Sequence, residues 1–403
     1  MNYTTNVKLG VAVRLVVLCC IAMACSSSDD GQGENPNTAV TGGAGGATAS
    51  GGSGGSSAGG SGGGGAGGGA GSAGVAAGGT GGFGAGGTQA GSGGSPTAPD
   101  DAGSTDDAAI TDATVDAGEP GPTDYGARGP HDVLIEKNVG ESHRNRNVAD
   151  DTARCSAFVA LVGADADPEV IENLTTYPAD MDRQLYTMFR PAVLEDGVKY
   201  PVITWGNGTC SHPLLFSELL EHLASHGFIV IASNTRWTSG GVEMLRGLDF
   251  AIAENARAAS ALYGKVDTAK LGVSGHSQGS MATVTAGADS RVVATVPIQG
   301  AGVADARRLH SPTFLIAGEL DTLVAPAGVE DAYDAVTVPA VYGLSMGQDH
   351  LMPGRAPAPI LDAVTGWFKI HLAGDEEARA LFYGDACGLC SDARWMLQRK
   401  NLE

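Results

Sequence analysis

The sequence is poor in positive charge and in long apolar runs. Its 403 residues include 24 Lys and Arg against 45 Asp and Glu, which gives a formal net charge of −21. A chain this acidic repels phosphate backbones, so nucleic-acid binding is excluded as its main function. No apolar run long enough to span a bilayer follows residue 25, so the sequence predicts no later transmembrane helix.

The patterns that bind cofactors are also missing. No glycine-rich dinucleotide or phosphate-binding motif follows a predicted strand, so a nucleotide site is unsupported. No spacing of histidine and cysteine is typical of a metal site. We therefore expect neither a cofactor nor a metal ion.

The N-terminus has the pattern of an export signal. Lys8 and Arg14 come before the apolar run Leu15–Ala24, which is too short to cross a bilayer. The run leads into Cys25 and resembles a bacterial lipoprotein signal, although Ala22 stands where leucine is usual. We predict that residues 1–25 are a signal and that Cys25 carries lipid and anchors the protein to a membrane. The alternative is a secretory signal cleaved after Ala-x-Ala, and both interpretations predict export.

A long low-complexity segment follows the signal. The segment Thr41–Ser95 holds much of the chain's glycine, and an Asp-rich stretch runs from Asp100 to Asp124. Neither buries enough apolar surface to offset the entropy of ordering a chain. We predict that residues 26–124 are a disordered tether and that residues 125–403 form one catalytic domain.

From there, short apolar runs alternate with amphipathic segments. This alternation predicts an α/β domain with a mostly parallel central sheet flanked by helices. The predicted strands are 184–190, 201–205, 228–232, 271–274, 292–298, 314–317 and 340–344. The predicted helices are 213–225, 242–256, 278–288, 326–336 and 358–372.

A Gly-x-Ser-x-Gly motif, Gly275–Gly279, lies between a predicted strand and a predicted helix. This context favours a sharp turn that exposes the hydroxyl of Ser277 as a nucleophile. A serine needs a base that is itself oriented by an acid, and the motif predicts the chain order serine, acid, histidine. His350 follows the last predicted strand, whereas His310 is in the wrong order and His371 falls on the terminal helix. We expect His371 to be a surface residue.

The acid should follow an earlier strand than the base. Asp321 follows the strand 314–317 and is favoured, Glu319 is the second choice, and Asp349 has the position of a loop cap. The oxyanion hole needs two N–H donors. We assign them to Gln278 and Asn207, with Gly208 as the alternative to Asn207.

Four segments together resemble bacterial cutinases, which are polyester hydrolases of the α/β-hydrolase fold related to dienelactone-hydrolase-type and platelet-activating-factor-acetylhydrolase-type esterases. The segments are Leu223–Val230, Gly275–Gly279, Glu319–Pro326 and His350–Pro353, and the resemblance covers about residues 184–372. It implies an α/β-hydrolase fold and ester hydrolysis. It also implies that Ser277, Asp321 and His350 form the triad and that Asn207 and Gln278 lie near the oxyanion positions.

The sequence departs from that family where aromatic residues usually clamp a polymer. Gln278 replaces the methionine after the serine, Asn207 or Gly208 replaces an aromatic residue, and Gln299 lies where a tryptophan is usual. We expect Gln278, Asn207 and Gln299 to face the acyl group, with Trp205 and Trp237 nearby. These departures favour small esters over polyesters.

The predicted domain holds four cysteines, Cys155, Cys210, Cys387 and Cys390. In an exported protein an even number predicts two disulfides, with three possible pairings. Cys387 and Cys390 are spaced as in redox-active pairs, but no thioredoxin-like strand comes before them.

Taken together, the sequence predicts an exported, monomeric serine ester hydrolase that acts on small-molecule esters through an acyl-enzyme. The alternatives are a serine peptidase or amidase on the same fold, and a non-catalytic surface lipoprotein that uses an inert hydrolase fold.

Overall fold

A computed structural model describes residues 123–142, 148–162, 168–238 and 240–402. Within these residues, nine strands form one sheet. They are β1 (Val133–Val139), β2 (Tyr186–Pro191), β3 (Tyr200–Gly206), β4 (Ile229–Ser233), β5 (Val266–His276), β6 (Val292–Ile298), β7 (Thr313–Gly318), β8 (Ala340–Ser345) and β9 (Trp395–Lys400).

Helices connect most of the strands. They are α1 (Val148–Val162), α2 (Pro168–Thr175), α3 (Ser217–Ser225), α4 (Val242–Ala256), α5 (Gln278–Ala286), α6 (Val303–Ala306), α7 (Pro326–Ala335), α8 (Met352–Arg355), α9 (Ala358–Phe368) and α10 (Gly388–Ser391). Short 3₁₀ turns at Pro213–Phe216 and Glu377–Leu381 and a π-turn at Lys369–Ala373 complete the described elements.

The strands lie in the order β1-β2-β4-β3-β5-β6-β7-β8-β9. All neighbours from β4 to β8 are parallel. The pairs β1–β2, β2–β4 and β8–β9 are antiparallel. The predicted α/β fold with a mostly parallel sheet is therefore confirmed. Since the carboxyl ends of parallel strands meet at one edge of the sheet, the loops after β3 to β8 lie close together there.

The core lies on both faces of the sheet. Phe216 and the leucines of α3 pack with the apolar residues of α9 against one face. Residues of α4 and α5 pack against the other, and α7 extends that packing beside β7 and β8. The strands β2, β4 and β7 are buried along their whole length, because helices cover both faces.

Each predicted strand and helix corresponds to an observed element, with ends that differ by a few residues. The sequence did not predict the strands β1 and β9 or the helices α1, α2, α6, α8 and α10. The terminal helix also ends earlier than predicted, at Phe368, where the π-turn begins. The predicted signal, the predicted lipidation site Cys25 and nearly all of the predicted tether lie outside the described residues.

The four cysteines form two disulfides, as predicted, and the structure gives their pairing. Cys155 in α1 is joined to Cys210 in the loop after β3. Cys387 is joined to Cys390 across the start of α10. The first disulfide joins two segments far apart in the sequence, whereas the second closes a single turn.

Candidate active site

Ser277 lies at the sharp turn between β5 and α5. Its φ is 56° and its ψ is −115°, a conformation that is strained for a residue with a side chain. Its N–H donates to the carbonyl oxygen of Ile298 at the end of β6, at 3.0 Å. The turn is therefore fixed by the neighbouring strand, and the hydroxyl is held at the carboxyl edge of the sheet.

The two glycines of the motif allow this turn to pack against β3. A Cβ at position 279 would lie 2.0 Å from the carbonyl oxygen of Gly206, and one at position 275 would lie 2.5 Å from the carbonyl oxygen of Gly279. Both distances are far below van der Waals contact with backbone atoms. The motif requires glycine at 275 and 279 because no side chain fits at either position.

The structure brings Ser277, His350 and Asp321 into one chain of hydrogen bonds. His350 Nε2 lies 2.9 Å from Ser277 Oγ, and His350 Nδ1 lies 2.7 Å from Asp321 Oδ2. The carboxylate of Asp321 only accepts, so Nδ1 carries the proton and Nε2 is free to accept from the serine hydroxyl. The arrangement is the one in which a base takes a proton from a serine as it attacks.

Asp321 is itself held in place. Its Oδ1 accepts from the backbone N–H groups of Leu323 at 2.9 Å and Val324 at 2.8 Å. Its side chain is fully shielded from solvent. The hydrogen bonds to Oδ1 fix the plane of the carboxylate and turn Oδ2 toward His350.

The other acids considered from the sequence make different contacts. Glu319 Oε2 accepts from the N–H of Gly347 at 2.7 Å, which closes the loop after β8. Asp349 Oδ1 accepts from the N–H of Leu351 at 2.9 Å, so it caps that loop, and it pairs with Arg355.

The two other histidines that the sequence analysis considered as the base make different contacts. His310 Nε2 lies 2.8 Å from the carbonyl oxygen of Asp289, on the exposed surface. His371 is half-buried and packs on Trp367, with ring centroids 4.4 Å apart. The expectation that His371 is a surface residue is therefore wrong in part, because the π-turn directs its ring toward Trp367.

The two assigned oxyanion positions lie on adjacent elements. Gln278 is the first residue of α5, so its N–H has no acceptor within the helix. Asn207 directly follows β3, which pairs with β5 up to the partners Gly206 and Gly275. The loop after β3 therefore begins beside the turn that holds Ser277.

The side chain of Asn207 does not face the acyl group, contrary to expectation. It is fully buried, and its Nδ2 donates to the carbonyl oxygens of Ser233 at 2.6 Å and Thr235 at 3.0 Å. Two backbone acceptors at the end of β4 draw the amide away from the site. Asn207 thus joins the loop after β3 to the end of β4.

Gln299 and Trp205 are also turned away from substrate. Gln299 is fully buried, and its Nε2 donates to the carbonyl oxygen of Asp349 at 2.5 Å. Trp205 lies in the core against Phe216, with ring centroids 5.0 Å apart. The expectation that Gln299 faces the acyl group is wrong, because the carbonyl of Asp349 binds its amide. No sequence pattern indicates this contact, which joins residues 50 positions apart.

His276, which the sequence analysis did not place in the site, lies beside His350. Its Nε2 lies 2.8 Å from the His350 carbonyl oxygen, and the two rings are 4.7 Å apart. Burial, together with the neighbouring His350, lowers the pKa of His276 well below its usual value. His276 is therefore neutral, and its Nε2 donates to the loop that presents His350.

The loop after β4 and the segment α1–α2 lie against the loop after β3. The N–H of Cys210 donates to the carbonyl oxygen of Arg236 at 2.8 Å, and Arg236 Nε donates back to the Cys210 carbonyl at 2.9 Å. Arg154 of α1 lies over the half-exposed ring of Trp237, 5.6 Å from its centroid. Trp237 is thus a partly exposed aromatic residue in the loop after β4.

Within the described part of the chain, no three His, Cys, Asp or Glu side chains are grouped so that they could hold a metal ion. In the same residues, no helix is long and apolar enough to cross a membrane.

Comparison with known proteins supports the resemblance to bacterial cutinases. Residues 199–391 match a family model described as PETase: PET hydrolase-like. Cutinase est2 of Thermobifida alba is 28% identical over 185 residues, which are 43% of this chain and 60% of that protein. Bis(hydroxyethyl) terephthalate hydrolase of Streptomyces coelicolor is 25% identical over 200 residues, which are 47% of this chain and 62% of that protein.

Cutinase est1 of Thermobifida alba is also 28% identical, over 186 residues that cover 43% of this chain and 61% of that protein. The chain thus spans about three fifths of the length of the curated relatives it matches. The predicted resemblance to the cutinase-like branch of the α/β-hydrolases is confirmed. The segment α1–α2 lies before the residues that match the family model.

Proposed function

We propose that this protein is a serine ester hydrolase that works through an acyl-enzyme. The observation that supports this most directly is the unbroken chain of hydrogen bonds from Asp321 through His350 to Ser277. The names of the relatives, two cutinases and a bis(hydroxyethyl) terephthalate hydrolase, favour an ester as the substrate.

In the proposed mechanism, Ser277 Oγ attacks the ester carbonyl while His350 Nε2 takes the hydroxyl proton. Asp321 keeps the imidazole in the required tautomer and stabilises the imidazolium that forms. His350 then returns the proton to the leaving alcohol. A water molecule, activated by the same histidine, attacks the acyl-enzyme and releases the acid.

The negative charge on the carbonyl oxygen is stabilised by backbone donors. The N–H of Gln278 is one donor, and its position at the start of α5 adds the positive end of the helix dipole. The N–H of Asn207 is the second, since that residue begins the loop beside the serine. Because two carbonyl oxygens bind the Asn207 side-chain amide, the donor that we propose at this residue is its backbone N–H.

The substrates that this site favours are small carboxylic esters. The side chains of Asn207 and Gln299 point into the protein and Trp205 lies in the core. None of the three therefore offers a surface on which a polymer repeat unit could pack. A lost aromatic contact removes on the order of 1 kcal/mol of binding for each stacked ring. We expect activity on acetyl to hexanoyl nitrophenyl esters and on bis(hydroxyethyl) terephthalate, and little on polyester film.

The decisive experiment compares labelling and turnover in the wild type and in Ser277→Ala. A fluorophosphonate should label the wild type alone, and Ser277→Ala should lower kcat on the butyrate ester at least about 10³-fold. Ser290→Ala is the matched control, because Ser290 is an exposed serine beyond the end of α5. Turnover by Ser277→Ala with a normal melting curve would refute the proposal. Rapid hydrolysis of polyester film would refute the proposed substrate class and would make Trp237 the first residue to test.

We further propose that the protein is exported and that lipid on Cys25 anchors it to a membrane. A tether would then join this anchor to a monomeric catalytic domain. The short apolar run before Cys25 supports this proposal. Globomycin should block processing, and Cys25→Ser should abolish partition into a detergent phase. A wild-type protein that stays in the aqueous phase would refute lipidation and would favour the secretory signal.

A further inference from the structure

Two buried side chains hold the loop that presents His350. Gln299 Nε2 donates to the carbonyl oxygen of Asp349 at 2.5 Å. His276 Nε2 donates to the carbonyl oxygen of His350 itself at 2.8 Å. Because a carbonyl only accepts, each contact requires a nitrogen that bears hydrogen to face the loop. The donors stand at the carboxyl ends of β5, which leads into the turn at Ser277, and of β6, whose last residue accepts from the Ser277 N–H.

A third contact fixes the preceding residue of the loop. The carbonyl oxygen of Gln348 accepts from the N–H of Leu320 at 2.8 Å. A Cβ at Gly318 would lie 2.6 Å from the Gln348 oxygen and 2.8 Å from Gln299 Nε2, so glycine there leaves room for both groups. Three consecutive carbonyls, at residues 348 to 350, are thus bound by donors from three different strand ends.

The backbone of Gln299 is fixed as firmly as its side chain. Its φ is 56°, an uncommon value for a residue with a side chain, and its N–H donates to the carbonyl oxygen of Ile316 at 2.7 Å. The side chain is fully buried. Its carboxamide therefore has a defined direction, toward the loop of His350 and not toward substrate.

We infer that Gln299 is a positioning residue that holds His350 Nε2 within reach of Ser277 Oγ. The inference rests on the proposed function, since it assigns Gln299 a role through the proposed base. His350 is joined to Ser277 by one hydrogen bond of 2.9 Å. A displacement of a reacting group by about 1 Å can lower a rate about 10²-fold. Donors that bind consecutive carbonyls of the His350 loop therefore fix the distance between His350 Nε2 and Ser277 Oγ, on which the rate depends.

The first test is Gln299→Met, which keeps the side-chain length and removes the donor. We expect kcat on the butyrate ester to fall roughly 10- to 100-fold. KM should stay within about twofold, because a residue that acts on the transition state alone leaves ground-state binding unchanged. The rate of fluorophosphonate labelling should fall in parallel with kcat, since labelling also needs the Ser277–His350 contact.

The second test is Gln299→Glu, which keeps the volume and donates only when its carboxyl is protonated. The loss of kcat relative to the wild type should therefore increase as the pH rises through the titration of the new carboxyl group. The loss in Gln299→Met should be the same at every pH. A purely structural role for Gln299 predicts that kcat of Gln299→Glu falls only at pH values where its Tm, measured in parallel, shows that the buried carboxylate unfolds the domain.

Thr313→Val is the matched control for stability. Thr313 is fully buried at the start of β7, and its Oγ1 donates to the carbonyl oxygen of Ser311 at 2.9 Å. This variant also loses one buried hydrogen bond, but in a part of the sheet that does not contact the loop of His350. We expect a lower Tm with an unchanged kcat.

The outcomes separate the inference from the proposed function. If both Gln299 variants keep the wild-type kcat while Ser277→Ala is inactive, the inference is wrong and the proposed function stands. If Ser277→Ala is active, the proposed function is wrong, irrespective of the kcat values of the Gln299 variants. Should Gln299→Met not fold, Gln299→Glu decides the matter through the pH dependence of its kcat.

Discussion

At the scale of single residues, the site depends on places where the backbone approaches itself too closely for any side chain. The turn at Ser277 packs against the end of β3, and its neighbour Gly279 leaves no space for a methyl group near the carbonyl oxygen of Gly206. This contact sets the position of Ser277 and of the loop after β3 at the same time. A substitution here should therefore affect stability and catalysis together.

We predict that Gly279→Ala lowers the free energy of unfolding by about 3 kcal/mol and abolishes turnover, because the new Cβ would lie 2.0 Å from a backbone oxygen. The control is Gly328→Ala in α7, where a Cβ would meet no atom within 4 Å. Alanine favours a helix over glycine, so this variant should gain up to about 1 kcal/mol. Urea unfolding measures both. Equal stability of the two variants would contradict the prediction.

Buried histidines give the domain a pH dependence that is also set residue by residue. Burial lowers the pKa of His212, His226 and His371 from 6.5 to about 4. In the unfolded chain these groups take up protons near pH 6.5, whereas in the folded protein they do so only near pH 4. The unfolded state thus binds more protons between these limits, and stability is lost as the pH falls through this range.

One carboxyl group opposes this effect. Burial raises the pKa of Asp362 from 3.8 to about 6, so its contribution is fully present below pH 3.8 and is lost as the pH rises toward 6. The three histidines together lose more stability on acidification than the one carboxyl group gains. We therefore predict a lower Tm at pH 4.5 than at pH 7. Thermal melts should show that Asp362→Asn steepens this dependence and that His226→Gln weakens it. A Tm that rises on acidification would be the contrary result.

At the scale of elements, the Cys155–Cys210 disulfide joins α1 to the loop after β3, where the second oxyanion donor is proposed. The hydrogen bonds between Cys210 and Arg236 connect the same loop to the end of β4. The disulfide therefore restrains the loop after β3 as well as α1. The Cys387–Cys390 disulfide lies beside α10 and has no such neighbour in the site.

We predict that Cys155→Ser with Cys210→Ser destabilises the domain far more than Cys387→Ser with Cys390→Ser. The sequence separations are 55 and 3 residues. Loop-closure entropy alone gives about 4 and about 1.5 kcal/mol for these two loops. The first pair of substitutions should also lower kcat, since it frees the loop after β3. Melting curves and butyrate turnover test both, and a larger effect of the second pair would overturn the argument.

The position of a strand in the sheet explains whether the sequence predicted it. Buried parallel strands such as Val292–Ile298 are continuous apolar runs, and their prediction is confirmed. The edge strands Val133–Val139 and Trp395–Lys400 each pair on one side only, so they include charged residues and resemble loops in the sequence. The helices α1 and α2 lie outside the residues that match the family model.

In the candidate site, too, some features could be predicted from the sequence and others could not. The order of Ser277, Asp321 and His350 follows from the motif and the strand ends, and the three residues do lie together. The directions of the Asn207 and Gln299 side chains depend on backbone acceptors far away in the sequence. Periodicity and spacing carry no information about such contacts, so these two side chains were expected to face substrate.

At the scale of the whole molecule, the acidic charge and the N-terminal composition favour a domain that works apart from the segment before it. The described chain begins with a short strap, residues 123–131, that docks on α3. The rings of His222 and His226 donate to the carbonyl oxygens of Tyr125 at 2.8 Å and Ala127 at 2.9 Å. The N–H of Gly129 donates to Ser225 Oγ at 2.9 Å. This strap belongs structurally to the domain.

We therefore predict that deletion of residues 26–124 leaves kcat/KM on small soluble esters within about twofold of the wild type, because a segment of this composition is expected to make few contacts with a folded domain. The matched control is deletion of residues 26–131, which also removes the strap and leaves His222 and His226 without their carbonyl acceptors. An unmet hydrogen bond at a buried group costs about 1–3 kcal/mol, so the longer deletion should lower the Tm by several degrees. Equal melting temperatures for the two deletions would show that the strap does not stabilise the domain. A large loss of kcat/KM in the shorter deletion would show that the tether covers or completes the site.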